Sequence, residues 1–153
     1  MRVVSFHAVS RSPELDGWAK MKSWAKPKDL LDNQEKNPVY GFNNPDPIPG
    51  KKEYGYEYWI RVEPDFESDE VAVKDFPGGL FAVTFCNAKE DMENEFFKEK
   101  GYLITWKKLA DWVNASKYSC GNAPCLEHHL DCNVPEDELV FDLYYPIKES
   151  DNP

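Results

Sequence analysis

The sequence predicts an α+β fold in which one strand-helix-strand-strand unit is used twice. Three observations predict it. Trp18, Met21 and Trp24 recur as Trp106, Leu109 and Trp112, each offset by 88 residues (106 against 18, 109 against 21, 112 against 24). Both helical patterns are followed by a loop, a strand, a second loop and an aromatic strand. Apolar and polar side chains alternate in Tyr54–Val62 and again around Pro124–Leu130, as half-buried strands require. We expect one domain over residues 1–153, with a first repeat over about 1–70 and a second over about 71–150. Packed about a pseudo-twofold axis, the two repeats would make an antiparallel sheet with two main helices on one side. A ligand groove is expected near the axis, where Glu57 and Glu127 would lie on comparable strands.

Taken in order, Arg2–Ser10 reads as a strand from Val3, Val4, Phe6, Ala8 and Val9. Ser12 resembles an N-cap with Pro13 at the first helical position, where a missing N–H costs nothing. Leu15, Trp18, Met21 and Trp24 follow at steps of three, near one helix face, and Pro27 should end the helix. Residues 33–54 are rich in Pro, Asn and Gly, with a short strand at Val39–Phe42. Tyr54–Val62 is a stronger strand: Tyr54, Tyr56, Tyr58, Ile60 and Val62 share one face, and Glu57, Trp59 and Arg61 the other. Val71–Val73 and Leu80–Cys86 read as strands flanking the turn Phe76-Pro77-Gly78-Gly79. Lys89–Lys100 reads as a helical insertion ending at Gly101, and Leu103–Ser116 as the second amphipathic helix. Pro124–Leu130 and Leu139–Ile147 close the chain as strands, and Leu126, His128 and Leu130 oppose Cys125, Glu127 and His129.

With 41% hydrophobic residues, 5 Trp, 8 Tyr and 9 Phe, the chain is built for a core and not for disorder. That aromatic content also suits a cavity lined with flat rings. The net charge of −10 repels phosphate backbones, and no basic stripe offsets it, so direct nucleic-acid binding is not expected. A cationic ligand, or a protein that normally grips DNA, is the electrostatically compatible partner. Met1–Ser10 lacks the apolar core of a signal peptide and no run approaches membrane-spanning length, so a cytoplasmic protein without membrane attachment is expected. Cys86, Cys120, Cys125 and Cys132 are then thiols and not a disulfide framework. Cys120, Cys125, His128, His129 and Cys132 cluster in sequence, but without a Cys-x-x-Cys pair and with the histidines on opposite strand faces. No metal is expected.

Glu127 is the residue to explain, because a carboxylate in mid-strand is costly to bury unless it is paired or protonated. Around it, the order of Lys74–Val83 (Lys-Asp-Phe-Pro-Gly-Gly-Leu-Phe-Ala-Val), the Trp106–Tyr118 helix, Pro124–Leu130 and Val140–Ile147 resembles the GyrI-like family. This is the AraC-type effector-binding domain of multidrug-sensing transcription regulators and of a small DNA gyrase inhibitor protein. Phe42-Asn43-Asn44-Pro45 is similar to the Asn-Pro loop of that family. The resemblance spans nearly the whole chain, with no DNA-binding domain attached. It implies two repeated units and a hydrophobic groove, in which a glutamate of the penultimate strand contacts cationic, flat aromatic ligands. On residue matching that glutamate is Glu127. His129 stands where the family often has an aromatic, and a charged imidazole there would disfavour a cation.

The resemblance therefore implies a standalone small-molecule binding protein for hydrophobic, planar, cationic compounds, with no cofactor. Glu127 and His129 are the candidate polar contacts, and Tyr56, Tyr58, Trp59, Phe81, Phe141 and Tyr145 the candidate walls. Trp18, Trp24, Trp106 and Trp112 are expected in the core. Two alternatives follow from the same resemblance. Some similar proteins hydrolyse reactive cyclopropane-bearing aromatic compounds, for which Glu127 would be the general base. The gyrase inhibitor relative makes DNA gyrase, or a separate regulator, a candidate protein partner. The fold class also includes haem-binding relatives, but His7 alone at strand spacing does not make an axial ligand.

Overall fold

Alternating β-branched and aromatic residues make the first strand pair, and the computed structural model, which describes residues 1–150, shows its ends where the sequence puts them. Strand β1 (Arg2–Ser10) runs antiparallel to β3 (Tyr54–Val62), with Val4 opposite Ile60, Phe6 opposite Tyr58 and His7 opposite Glu57. Strand β2 (Val39–Asn43) lies on the other edge of β3, and β4 (Ala72–Asp75) on the other edge of β1. Residues 1–77 form one compact unit and residues 78–150 belong to a second. The pairing of β4 with β1 corrects the expectation that residues 71–73 open the second repeat. Arg2 holds this edge by donating to the Asp75 carboxylate at 2.8 and 3.0 Å.

Helix α1 (Pro13–Ala25) covers the face of the first sheet that carries Phe6, Tyr56 and Tyr58. Its start differs from expectation: the Ser12 side chain makes no cap bond. Ser10 does the local work, since its hydroxyl accepts from the Ser12 N–H at 3.1 Å and donates to Asp16 at 2.5 Å. Pro13, Gly17, Met21 and Ala25 form the buried row, at steps of four, whereas Leu15 is 62% exposed. Three residues advance a helix by about 300°, so the row Leu15, Trp18, Met21, Trp24 drifts until its ends face opposite ways. The Pro27 stop is present as a 3₁₀ turn over Lys26–Lys28, closed by Asp29 at φ 58°.

The second unit repeats this plan. Strand β5 (Leu80–Asn87) is followed by two short helices, α2 (Ala88–Glu93) and α3 (Glu95–Lys100), where a single helical insertion was expected. Asn94 separates them, capping α3 through its side chain, and Gly101 ends α3 at φ 81°. Helix α4 (Ile104–Ala115) then packs Leu109 and Val113 against Ala82, Cys86, Leu143 and Ile147. The insertion has a structural use: buried Asp91 accepts the Thr105 N–H at 3.0 Å, giving α4 the N-terminal cap its own sequence lacks. Strand β6 (Tyr118–Cys120), which the sequence did not predict, is followed by β7 (Leu126–His129) and β8 (Val140–Glu149).

β8 is central, with β5 on one edge and β7 and β6 on the other, all antiparallel. The order β1-β3-β2 in the first unit thus matches β5-β8-β7 in the second, with α1 and α4 in equivalent places. It follows that β7 is the counterpart of β2. Glu57 on β3 and Glu127 on β7 therefore do not occupy comparable strands, contrary to expectation. Trp112 also departs from its expected place: it is 55% exposed, because it lies six residues and about 120° round the helix from Trp106.

Candidate functional site

In the second unit, the strand register sorts the candidate residues. Glu127 stands opposite Leu143 and His129 opposite Phe141, so these side chains and Tyr145 share the face that α4 covers. Leu143 is fully buried, Phe141 nearly so, and Glu127 is half-buried among them. The His129 and Phe141 rings meet edge to face, 4.8 Å between centroids. The Glu127 charge reaches the core as well. Burial pushes the Cys86 thiol up to about 12, and the carboxylates of Asp91 and Glu127 add to that rise. Phe81 lies on the opposite face, across from Pro146, with its ring 5.7 Å from that of Tyr144.

His129 is only 5% exposed, and burial, reinforced by neighbouring His128, lowers its pKa to about 3. It is therefore neutral at physiological pH and places no positive charge beside Glu127. Its titration has a consequence for stability. The unfolded chain takes up this proton below the ordinary value of 6.5, while the native state refuses it until about pH 3. Stability from this group is therefore complete above 6.5 and falls as the pH drops from 6.5 toward 3, by up to about 1.4 kcal/mol per pH unit. His129→Phe should flatten this dependence. In urea unfolding between pH 7 and pH 5, the variant should lose roughly 2 kcal/mol less than the parent. An unchanged slope would show that His129 is protonated in the native state.

In the first unit the register separates the candidates in the same way. Tyr56 and Tyr58 lie on the α1 face, with ring centroids 4.8 Å apart. The Tyr58 hydroxyl donates to the Glu14 carbonyl at 2.9 Å. Trp59 lies on the opposite face, in edge contact with Phe42 at 4.7 Å and tilted against Phe76 at 5.2 Å.

Beside Trp59 is a group that sequence reasoning mentioned only as a flank of the cleft. Glu57 is 1% exposed, and its Oε2 accepts from Ser5 Oγ at 2.8 Å, Trp59 Nε1 at 2.5 Å and Lys74 Nζ at 2.8 Å. Oε1 accepts from Asn44 Nδ2 at 3.2 Å. Burial alone would raise its pKa, but hydrogen bonds from Lys74, Ser5, Trp59 and Asn44 outweigh that and hold it below the ordinary carboxylate range. The donors come from β1, β3, β4 and the segment after β2. Glu57 thus ties the first sheet together, and these four donors use acceptor positions a ligand would need. The only advance signal is its place between Tyr56 and Tyr58, on the strand face it shares with Trp59.

An open groove of about 500 Å³ lies between β5 and α4, lined by residues that include Val83, Phe85, Lys108 and Trp112. Its lining contains a lysine and no carboxylate, and Glu127 is not part of it. Among the described residues no three His, Cys, Asp or Glu side chains gather as a metal site. No described helix is long and apolar enough to cross a membrane.

Two units, each an antiparallel sheet with one long covering helix and the same strand order, define an α+β protein of the GyrI-like fold. The chain belongs to the family of integron-associated effector binding proteins, whose family model matches residues 1–147. It is also similar to a DNA gyrase inhibitor of Erwinia billingiae, 24% identical over 161 aligned positions that cover 98% of this chain and 93% of that one. The crystal structure of an uncharacterized conserved protein from Listeria innocua shares the fold. Its TM-score is 0.64 at 12% identity, over 97% of this chain and 88% of the other. The GyrI-like resemblance read from the residues thus agrees with the family match.

Proposed function

We propose that the protein binds planar, hydrophobic compounds that carry positive charge, with Glu127 as the charge partner. One observation carries this reading. A half-buried carboxylate stands on an apolar strand face, with Phe141 and Tyr145 along the neighbouring strand and an imidazole that burial keeps neutral. Ring faces attract a ligand cation by about 0.5–2 kcal/mol each, and apolar burial adds about 25 cal/mol per Å² before the costs of association. Those terms favour moderate affinity for many related compounds over tight binding of one. The effector-binding family and the net charge of −10 support the same class of ligand.

Glu127→Gln should weaken a planar lipophilic cation by about tenfold to a hundredfold, the usual worth of a hydrogen bond to a charged group. Its neutral isostere should be affected far less. Calorimetric titration of such matched pairs checks this, and equal losses for cation and isostere would overturn it. Mass spectrometry of the incubated compounds separates binding from turnover. Water-added products made by the parent and not by Glu127→Gln would instead make this a hydrolase, with Glu127 as general base. If no compound binds and the protein inhibits gyrase supercoiling, the activity named for the Erwinia relative becomes the better reading.

A further inference from the structure

β6 and β7 lie end to end along one edge of β8, interrupted by a bulge. Cys120, the last residue of β6, stands opposite Ile147, and Leu126, the first of β7, opposite Tyr144. Six steps of chain are therefore accommodated against three steps of β8, and residues 121–124 loop out. Gly121 permits the exit: its N–H donates to the Pro146 carbonyl at 2.9 Å, and a Cβ there would stand 3.2 Å from the Ile147 carbonyl oxygen. Pro124 has no N–H with which to resume pairing.

The register has a chemical consequence. Continued one step back from the Leu126–Tyr144 pair, the β7 register brings Cys125 level with Tyr145, two positions along the same face of β8 from Ile147, the partner of Cys120. Two strand steps span about 6.6 Å, within the Cα separations that disulfides bridge, about 4.4–6.8 Å. Both thiols are exposed, whereas Cys86 and Cys132 are buried. Both sulfurs also lie near one hydroxyl, and Cys120 hydrogen-bonds it. Burial raises the Tyr145 pKa, and a hydrogen bond with Cys120 and the nearby Cys120 and Cys125 sulfurs raise it further.

We propose that Cys120 and Cys125 are a reversible dithiol–disulfide pair, oxidised by hydrogen peroxide, that clamps the bulge between β6 and β7 beside Tyr145. One thiolate attacks the peroxide: an S–O bond forms, the O–O bond breaks, and the released hydroxide takes a proton to become water. The second thiolate attacks the sulfenic sulfur, so that an S–S bond forms and the S–O bond breaks, releasing a second water. Two thiols and one peroxide give one disulfide and two waters, with two electrons passing from sulfur to oxygen. Cβ atoms two strand steps apart on one face stand about 6.6 Å apart, against about 3.5–4.5 Å in a disulfide. Closure therefore draws Cys125 toward Cys120 by roughly 2–3 Å, a movement taken up by residues 121–124, which lie outside regular strand.

The test uses the full chain, reduced, exposed to graded hydrogen peroxide, trapped with N-ethylmaleimide and cleaved after Lys and Glu. Residues Tyr118–Glu127 then fall in one peptide that contains both thiols. That peptide should lose two hydrogens and its reactivity at least about tenfold faster than Cys86 or Cys132 is modified, because buried thiols carry little thiolate. A dithiol reductant should restore it. Cys132→Ser should bridge like the parent, and Cys120→Ser should not bridge. Independent oxidation of the two sulfurs to sulfinic acids, a bridge to Cys132, or dimers linked through Cys125 would each overturn the proposal. Its link to function rests on the ligand reading above: with Tyr145 clamped, cation affinity should change at least about threefold. A bridge that forms without changing affinity would count against that link and leave the dithiol pair standing.

Discussion

Gly55→Ala should destabilise the protein by about 3 kcal/mol or more, at the upper end of what overpacking costs. Gly55 lies in β3 where the chain after β2 folds back across it. A Cβ on Gly55 would sit 1.8 Å from the Asn44 carbonyl oxygen and 2.4 Å from its carbon. These are backbone atoms, so no rotamer change relieves the overlap. The two segments are also pinned by hydrogen bonds, from Asn44 N–H to the Gly55 carbonyl and from Gly55 N–H to the Pro45 carbonyl, both 2.9 Å. Moving Asn44 away would break these and withdraw its side chain from Glu57. In thermal unfolding the midpoint should fall by roughly 6–12 °C for a chain of this size. A fall below about 2 °C would mean that residues 43–46 move aside at little cost.

Glu57→Gln should be nearly as damaging, at about 2–4 kcal/mol, although it conserves shape. Ser5, Trp59 and Lys74 all donate to Oε2, and Asn44 donates to Oε1. An amide has one acceptor oxygen. Placed at the Oε2 position, it turns its NH₂ against the Asn44 donor; flipped, it turns NH₂ against Trp59 and Lys74. Either way a buried donor loses its acceptor and the Lys74 ammonium loses its counter-charge. The acid response should change as well. With its pKa held below the ordinary 4.5, Glu57 contributes stability that is present above that value and is lost as pH falls through its lower native pKa. The variant should lack that part of the acid transition. Urea unfolding at pH 7 and pH 3.5 checks both statements: an equal loss at the two pH values would show that Glu57 is not held ionised by its partners.

Much of this architecture is legible in the residues themselves. Arg2–Ser10 and Tyr54–Val62 are strands to the residue, because long alternating runs of β-branched and aromatic side chains leave little else for them to do. Pro13 and Pro27 bracket the first long helix for covalent reasons, and Gly101 ends the helical insertion because it adopts positive φ readily. The assignment of Glu127 and His129 to one strand face also needs only the two-residue period.

What pattern could not supply are pairings between residues far apart in sequence. β4 joins β1 across some seventy residues, and three-residue β6 has no periodicity to read. The recurrence of the tryptophans suggested a shared place in the core, whereas the six-residue step turns Trp112 about 120° from Trp106 and leaves it exposed. The same holds for the sites. That the chain has a mid-strand carboxylate at Glu127 is local information, but the neutrality of His129 comes from the body packed around it. Glu57 is bound by Ser5 and Asn44, 52 and 13 residues away, and by Lys74, 17 residues away. The sequence by itself determined which segments become strands and helices, because backbone sterics and side-chain alternation act over a few residues. Only the tertiary structure decided which donors gather on Glu57, that His129 stays neutral and which thiols are buried, because hydrogen bonding and desolvation act through space.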